Sequence, residues 1–141
     1  MLISITRLHL RSIRYLPMFL LENFFIFYQL KNTPGLIAGK IVNEGGLGFW
    51  TMTAWKEETA MKFFRNSGKH QTAMPKLQQW SDEASLAHLT IPDGPLPSWF
   101  QAYDWMKQQG RTSQLKDATI AHQEGRTVAL RFKPRGEYIF R

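Results

Sequence analysis

A chain of 141 residues without a single cysteine excludes disulfides, thiolate catalysis and cysteine zinc sites. Its formal charge of +7 and pI near 9.9 favour anions and specify nothing narrower. Hydrophobic residues at 43% and aromatics at 13% exclude a disordered chain, and the length fits one domain with an extension.

Leu2 to Leu10 predicts a first strand. Ile3 and Ile5 share one face and Leu8 and Leu10 the other, so a bulge or the strand's exit is expected near Thr6-Arg7. Residues 14–31 are the most apolar part, and Arg7, Arg11 and Arg14 ahead of them imitate a signal peptide or anchor. Against that reading stand the preceding strand, the interrupting Glu22-Asn23, the absence of a small-residue cleavage site, and a run shorter than the ~20 residues a span needs. The expectation is a helix buried on nearly every side, with Pro17 in its first turn, in a cytoplasmic protein without a stable membrane span.

Asn32-Thr33-Pro34-Gly35 turns the chain into a second strand, Leu36 to Val42. Asn43-Glu44-Gly45-Gly46 turns it again, making a hairpin with Phe49 to Trp55. In that third strand Phe49, Thr51, Thr53 and Trp55 alternate with Trp50, Met52 and Ala54, so both faces carry bulk and both need cover. Lys56-Glu57-Glu58 opens a helix, with acids at its positive end, and Gly68 is the expected residue just past its end. Lys69 to Trp80 predicts a shorter helix interrupted by Pro75, and Ser85 to Ile91 a fourth strand. After Pro97, Ser98 caps a helix that Gly110 ends; Thr119–His122 and Thr127–Phe132 predict a hairpin around Glu124-Gly125. Arg126, Arg131, Lys133, Arg135 and Arg141 leave a basic tail, read as solvated.

Strand, helix, strand, strand, helix, strand gives an α+β class and a ferredoxin-like βαββαβ sandwich over residues 1–92. Residues 93–141 form a C-terminal extension packed on the same domain. One sheet face packs on the helices; a second copy, sheet against sheet, is the simplest cover for the other, so a homodimer is expected.

The segments TRLHLRS (6–12), PGLIAGKI (34–41) and FWTMTAWKEETAMKFFRNSGKHQTAMPKLQQWSDEAS (49–85) resemble the spheroidene monooxygenase-like group. That group resembles the dimeric α/β-barrel superfamily, which also holds antibiotic-biosynthesis monooxygenases. The resemblance spans about residues 2–91. It implies oxygenation or binding of a hydrophobic small molecule, with haem as a candidate cofactor and cofactor-free chemistry as the alternative. Haem-degrading enzymes of the superfamily use an asparagine on the first strand and a tryptophan and a histidine on the second helix. Thr6 and Phe64 fall where the first two would stand, and His70 lies nearer the helix than the third, a departure that argues against haem degradation.

Of the four histidines, His9, His70, His88 and His122, none sits in an HxH, HExxH or carboxylate-paired spacing, so a multi-ligand metal site has no support. His70 is the candidate axial ligand, because it follows the helix end that faces the sheet, and Arg7 the candidate partner for a haem propionate. Trp50, Phe64 and Thr6 are the candidate pocket residues. Asp82 and Glu83 are candidate carboxylate partners for Arg7, and Thr51, Thr53 and Arg7 candidate partners for a tryptophan N–H. Three readings follow: an oxygenase, haem-assisted or cofactor-free; a non-catalytic module for haem or an apolar ligand; and a basic binder of nucleic acid or anionic membrane. The last has only charge behind it, since no RNA-binding aromatic platform or helix-turn-helix is visible, and no nucleic-acid partner is expected.

Overall fold

The computed structural model describes residues 1–140; Arg141, counted above in the basic tail, lies outside the described residues. Six strands and five helices follow in the order β1 (Leu2–Leu10), α1 (Leu16–Lys31), β2 (Leu36–Asn43), β3 (Gly48–Trp55), α2 (Glu58–Arg65), α3 (Gly68–Trp80), β4 (Ser81–Thr90), α4 (Trp99–Gln109), β5 (Arg111–Thr112), α5 (Ile120–Gln123) and β6 (Arg135–Phe140). The sheet is antiparallel, in the order β5-β4-β1-β3-β2-β6. Its middle four strands are the ferredoxin-like arrangement, and the segment after β4 adds one short strand to each edge.

Strand β1 pairs with β3 without interruption from Leu2 to His9, so the expected bulge near Thr6-Arg7 is absent; the register shift lies at His9/Leu10, against β4. The apolar phase changes for another reason. Ile3, Ile5 and Arg7 occupy one face in sequence, and Arg7 is as buried as the isoleucines, at 2% exposure. Leu8 and Leu10 belong to the opposite, helix-facing core with Phe19, Leu30, Trp55, Phe64 and Leu77.

The second face carries Ile3, Ile5, Trp50, Met52 and Ala54, all fully buried. Its cover is the chain itself: Trp99, Ala102 and Met106 of α4, with Val128 and Phe132, pack on these residues. The expected cover, a second copy packed sheet to sheet, is thus replaced on this face by the chain's own extension. Polar bolts hold the cover down. Thr127 donates to the Met106 carbonyl at 2.7 Å, Ser85 donates to the Thr127 carbonyl at 2.6 Å, and the buried His122 ring bonds the Ala84 carbonyl at 3.0 Å. Lys40 sits 5.0 Å over the Trp99 ring, and the Trp99 indole donates to Glu137 of β6 at 2.5 Å.

Five further expectations are corrected. Residues 119–132 form the short α5 and an irregular segment instead of a hairpin, and the basic tail contains β6, which pairs with β2. Gly68 opens α3 at φ +57°, past a cap at Asn66, and α3 runs through Pro75 without a break. Helix α1 buries only Phe19, Ile26 and Leu30; its outer face is exposed, not buried on nearly every side. Ser98 does cap α4, in a reciprocal capping box with Gln101.

Candidate functional site

Alternation along the strands decides which side chains can meet. Ser4, Thr6 and Leu8 of β1 and Thr51, Thr53 and Trp55 of β3 face the helices, and between them and α1, α2 and α3 lies a cavity of about 210 Å³. Ile26, Phe27 and Leu30 form its α1 wall; Phe64, His70 and Leu77 form the wall opposite. His88 of β4 and, from the edge, Arg111 complete it. The lining is mostly apolar, with the Thr6 side chain exposed on the floor.

Three rings pack in tilted contact along this wall. Trp55 lies 5.7 Å from Phe64, and Phe64 lies 4.8 Å from the His70 ring, centroid to centroid. The Trp55 indole donates to Thr53 Oγ1 at 2.8 Å, one of the threonine partners anticipated for a tryptophan. His70 Nδ1 lies 3.0 Å from the Arg65 carbonyl. A carbonyl only accepts, so Nδ1 carries the proton of the neutral ring and Nε2 keeps the lone pair. Burial holds the His70 pKa below its ordinary 6.5, outweighing the Arg65 carbonyl that raises it. His88 is lowered as well, by burial first and then by the positive charges of Arg111 and Arg65. Both rings are neutral at pH 7 and able to accept a proton.

A residue not anticipated positions His70. Gln29 of α1 accepts from the His70 backbone N–H at 2.8 Å and donates to the Ser67 carbonyl at 2.9 Å and the Phe64 carbonyl at 3.3 Å. One amide thus clamps the α2–α3 junction, satisfying backbone groups that two adjoining helix ends leave open. A lone glutamine within the apolar run of residues 24–30 was its only trace in the sequence.

Two anticipated site residues turn their side chains elsewhere. Arg7 borders the cavity, but its guanidinium and the Trp50 ring lie on the opposite face, under the extension. Arg7 makes a bidentate pair with Glu44, at 2.7 and 2.9 Å, and a third bond to Glu83 at 2.8 Å. The Trp50 indole donates to the same Glu44 at 2.8 Å, in place of the threonines or Arg7. Glu83 was one of the two partners expected for Arg7; Asp82, the other, bonds His9 Nδ1 at 2.6 Å. The structure thus brings together Thr6, Phe64 and His70, with Arg7 bordering the same cavity but its guanidinium taken by Glu44 and Glu83, and it leaves Trp50 apart.

The residues do not fit a porphyrin. His70, with its Nδ1 anchored to a carbonyl, has the chemistry of an axial ligand, but its cavity of about 210 Å³ is below the ~300–1,000 Å³ typical of pockets for drug-sized ligands. Arg7, the expected propionate partner, is saturated by two carboxylates on the wrong side of the sheet. A second, open groove of about 660 Å³ beside α1 has the volume but no histidine. Among the described residues no three histidine, aspartate or glutamate side chains gather as a metal site.

No family model matches the chain, and no curated protein does. Solved structures do. A putative antibiotic biosynthesis monooxygenase from Nitrosomonas europaea superposes with a TM-score of 0.60 at 14% identity, over 66% of this chain and 100% of its own. A mutant of SnoaB, a cofactor-independent oxygenase from Streptomyces nogalater, gives 0.56 at 12%, over 69% and 97%. A mutant of MhuD with two manganese protoporphyrin IX per active site gives 0.50 at 15%, over 69% and 100%. At these identities the likeness is one of fold, and the chain carries the ferredoxin-like α+β fold of the antibiotic biosynthesis monooxygenases.

Proposed function

We propose that the chain is a monooxygenase-like protein that takes a small, largely apolar molecule bearing an acidic O–H or C–H into the cavity between sheet and helices, and works without haem. The observation that carries this reading is His70: neutral, fixed as the Nδ1–H tautomer, and placed on the wall of an apolar cavity. Its free Nε2 takes the substrate proton, and the enolate- or phenolate-type anion left behind, nucleophilic at carbon, adds oxygen and forms a C–O bond. The histidine returns its proton to the resulting peroxide, whose O–O bond then breaks: one oxygen stays on the carbon as a carbonyl, and the other leaves as water with the carbon's remaining hydrogen. Ser4, Thr6 and Thr51 offer hydroxyls to orient the substrate's oxygen atoms, and the cations Arg65 and Arg111 at the lining favour the deprotonated form. The likeness to a cofactor-independent oxygenase supports this chemistry, and the sequence resemblance to the spheroidene monooxygenase-like group supports a hydrophobic substrate.

The test is oxygen uptake by purified protein with a panel of two- and three-ring phenols and anthrones, in wild type and His70→Ala. Uptake that the variant loses at least about tenfold, with binding retained, is the expected result for a lost proton acceptor. Binding without uptake in wild type would assign the cavity to a non-catalytic module instead. Specific uptake of added haem with a Soret band that shifts in His70→Ala would overturn the haem-free reading.

A further inference from the structure

Helix α1 presents an apolar face to water. Met18, Leu20, Leu21, Phe24, Phe25 and Tyr28 are between 45% and 70% exposed. At 3.6 residues per turn they share an arc of roughly 160°, whose only charged side chain is Lys31 in the last turn of the helix. Monomeric soluble proteins rarely leave so many large apolar groups contiguous, so the arc marks a contact surface.

The border of the arc shows what kind. Arg14 stands at its N-terminal end and Lys31 at its C-terminal end. Along one flank Lys69 lies 5.3 Å over the Phe25 ring, and Lys69 and Lys76 both reach Glu22, at 2.9 and 3.2 Å. Glu22 is the only acid of the helix and is turned beneath those two lysines at 12% side-chain exposure. Two copies joined through this face would set cationic border against cationic border, because a two-fold contact pairs a patch with itself. A surface of lipid phosphates complements the same border. The 660 Å³ groove opens from Leu20 and Phe24 of the arc, runs past Phe49 and Tyr138, and has Arg135 in its lining, room for an acyl chain beside a cation.

We propose that α1 docks the protein on an anionic bilayer surface, lying in the headgroup plane with its apolar arc at the acyl boundary and its flanking lysines and arginines on lipid phosphates. This is attachment in the plane: among the described residues no helix is long and apolar enough to cross a membrane. The face is distinct from the catalytic cavity, so docking stands or falls independently of the function proposed above.

Flotation of the full chain with vesicles of phosphatidylcholine carrying about 30% phosphatidylglycerol tests it, since anionic lipid attracts cations at the surface. Wild type floats with these vesicles, binds pure phosphatidylcholine at least about tenfold more weakly, and is released by about 0.5 M salt, which screens the cationic border. The exposed double variant Leu21→Glu/Phe24→Glu keeps its circular dichroism and loses flotation at least about tenfold, as an apolar anchor requires. Arg14→Glu/Lys76→Glu weakens it while leaving the apolar arc intact. Wild type that stays with the soluble fraction, or a Leu21→Glu/Phe24→Glu variant that floats like wild type, overturns the proposal. So does a wild-type dimer in sedimentation equilibrium that Leu21→Glu/Phe24→Glu dissociates, which would give the face to a second copy.

Discussion

Replacing Arg7 with methionine probes the joint between the core sheet and its extension. The guanidinium is 2% exposed, and its partners Glu44 and Glu83 have side chains only 3% and 7% exposed. Methionine fills similar space without charge, so the cost is electrostatic: two buried carboxylates lose three bonds from their cation. Removing one partner from a buried ion network costs about 3–5 kcal/mol. The lower end is expected, because Glu44 keeps the Trp50 indole and Glu83 keeps Thr119 at 2.8 Å and Arg126 at 3.2 Å. A loss of about 3 kcal/mol is a large part of the roughly 5–15 kcal/mol that holds a domain together. With a urea dependence of about 1–3 kcal/mol per molar, the unfolding midpoint falls by about 1.5 M. Urea melts followed by tryptophan fluorescence read it directly, since Trp50 and Trp99 flank the joint. Adding Glu44→Gln and Glu83→Gln to Arg7→Met should recover much of the loss, because neutral amides cost less to bury than bare carboxylates. A midpoint shift below about 0.3 M for Arg7→Met alone would refute the view that this network is dry and tightly coupled.

The same groups set the acid response. Burial would raise the Glu83 pKa, but Arg7, Thr119 and Arg126 together bring it below the ordinary 4.5, while Lys69 and then Lys76 lower Glu22 against its burial. Their stabilisation is complete above 4.5 and is lost as pH falls through the depressed values. His70 and His88, lowered below 6.5, add a term that starts to fade at pH 6.5, so thermal melts should drop in two stages on acidification; a melt independent of pH from 7 to 4 would contradict this. Gln29→Ala removes the clamp on His70 and leaves backbone groups of the α2–α3 junction unpaired, with an expected cost of about 1–3 kcal/mol, and it should lower activity more than it lowers ligand binding. Gly48→Ala places a Cβ against the Glu44 carboxylate that lies over Gly48 on its way to Arg7, so the variant should lose stability by the same route as Arg7→Met, with little further loss when the two are combined.

The middle four strands were readable because their faces differ in kind: β3 alternates Phe49, Thr51, Thr53, Trp55 with Trp50, Met52, Ala54, and turns mark its ends. Arg7 misled in two ways for one reason. A charged residue inside a strand reads as either a kink or a functional group, and here it is a buried structural cation whose partners come from 37 and 76 residues away. Such a network is non-local, so spacing carries no trace of it. The extension was visible as a helix, but not as the lid of the second sheet face, because an apolar face tells that it needs cover and not whose. β6 hid among charges: as an edge strand with Phe140 its one buried residue, it satisfies only a weak apolar pattern. Helix α1 read as buried because apolar residues surround it on every side; a helix face turned to a non-aqueous partner has the same composition as one turned to a core.

The central claim is that a small apolar ligand enters between the sheet and the helices, beside His70. Thr6 stands on that floor with its side chain exposed, so Thr6→Trp fills the cavity with little disturbance of β1. Fluorescence titration with 2-naphthol measures the outcome. Wild type should bind it saturably and Thr6→Trp should lose that binding at least about tenfold, with an unchanged melting temperature, as filling a pocket of this size requires. Equal binding by wild type and Thr6→Trp would place the ligand elsewhere and contradict the account.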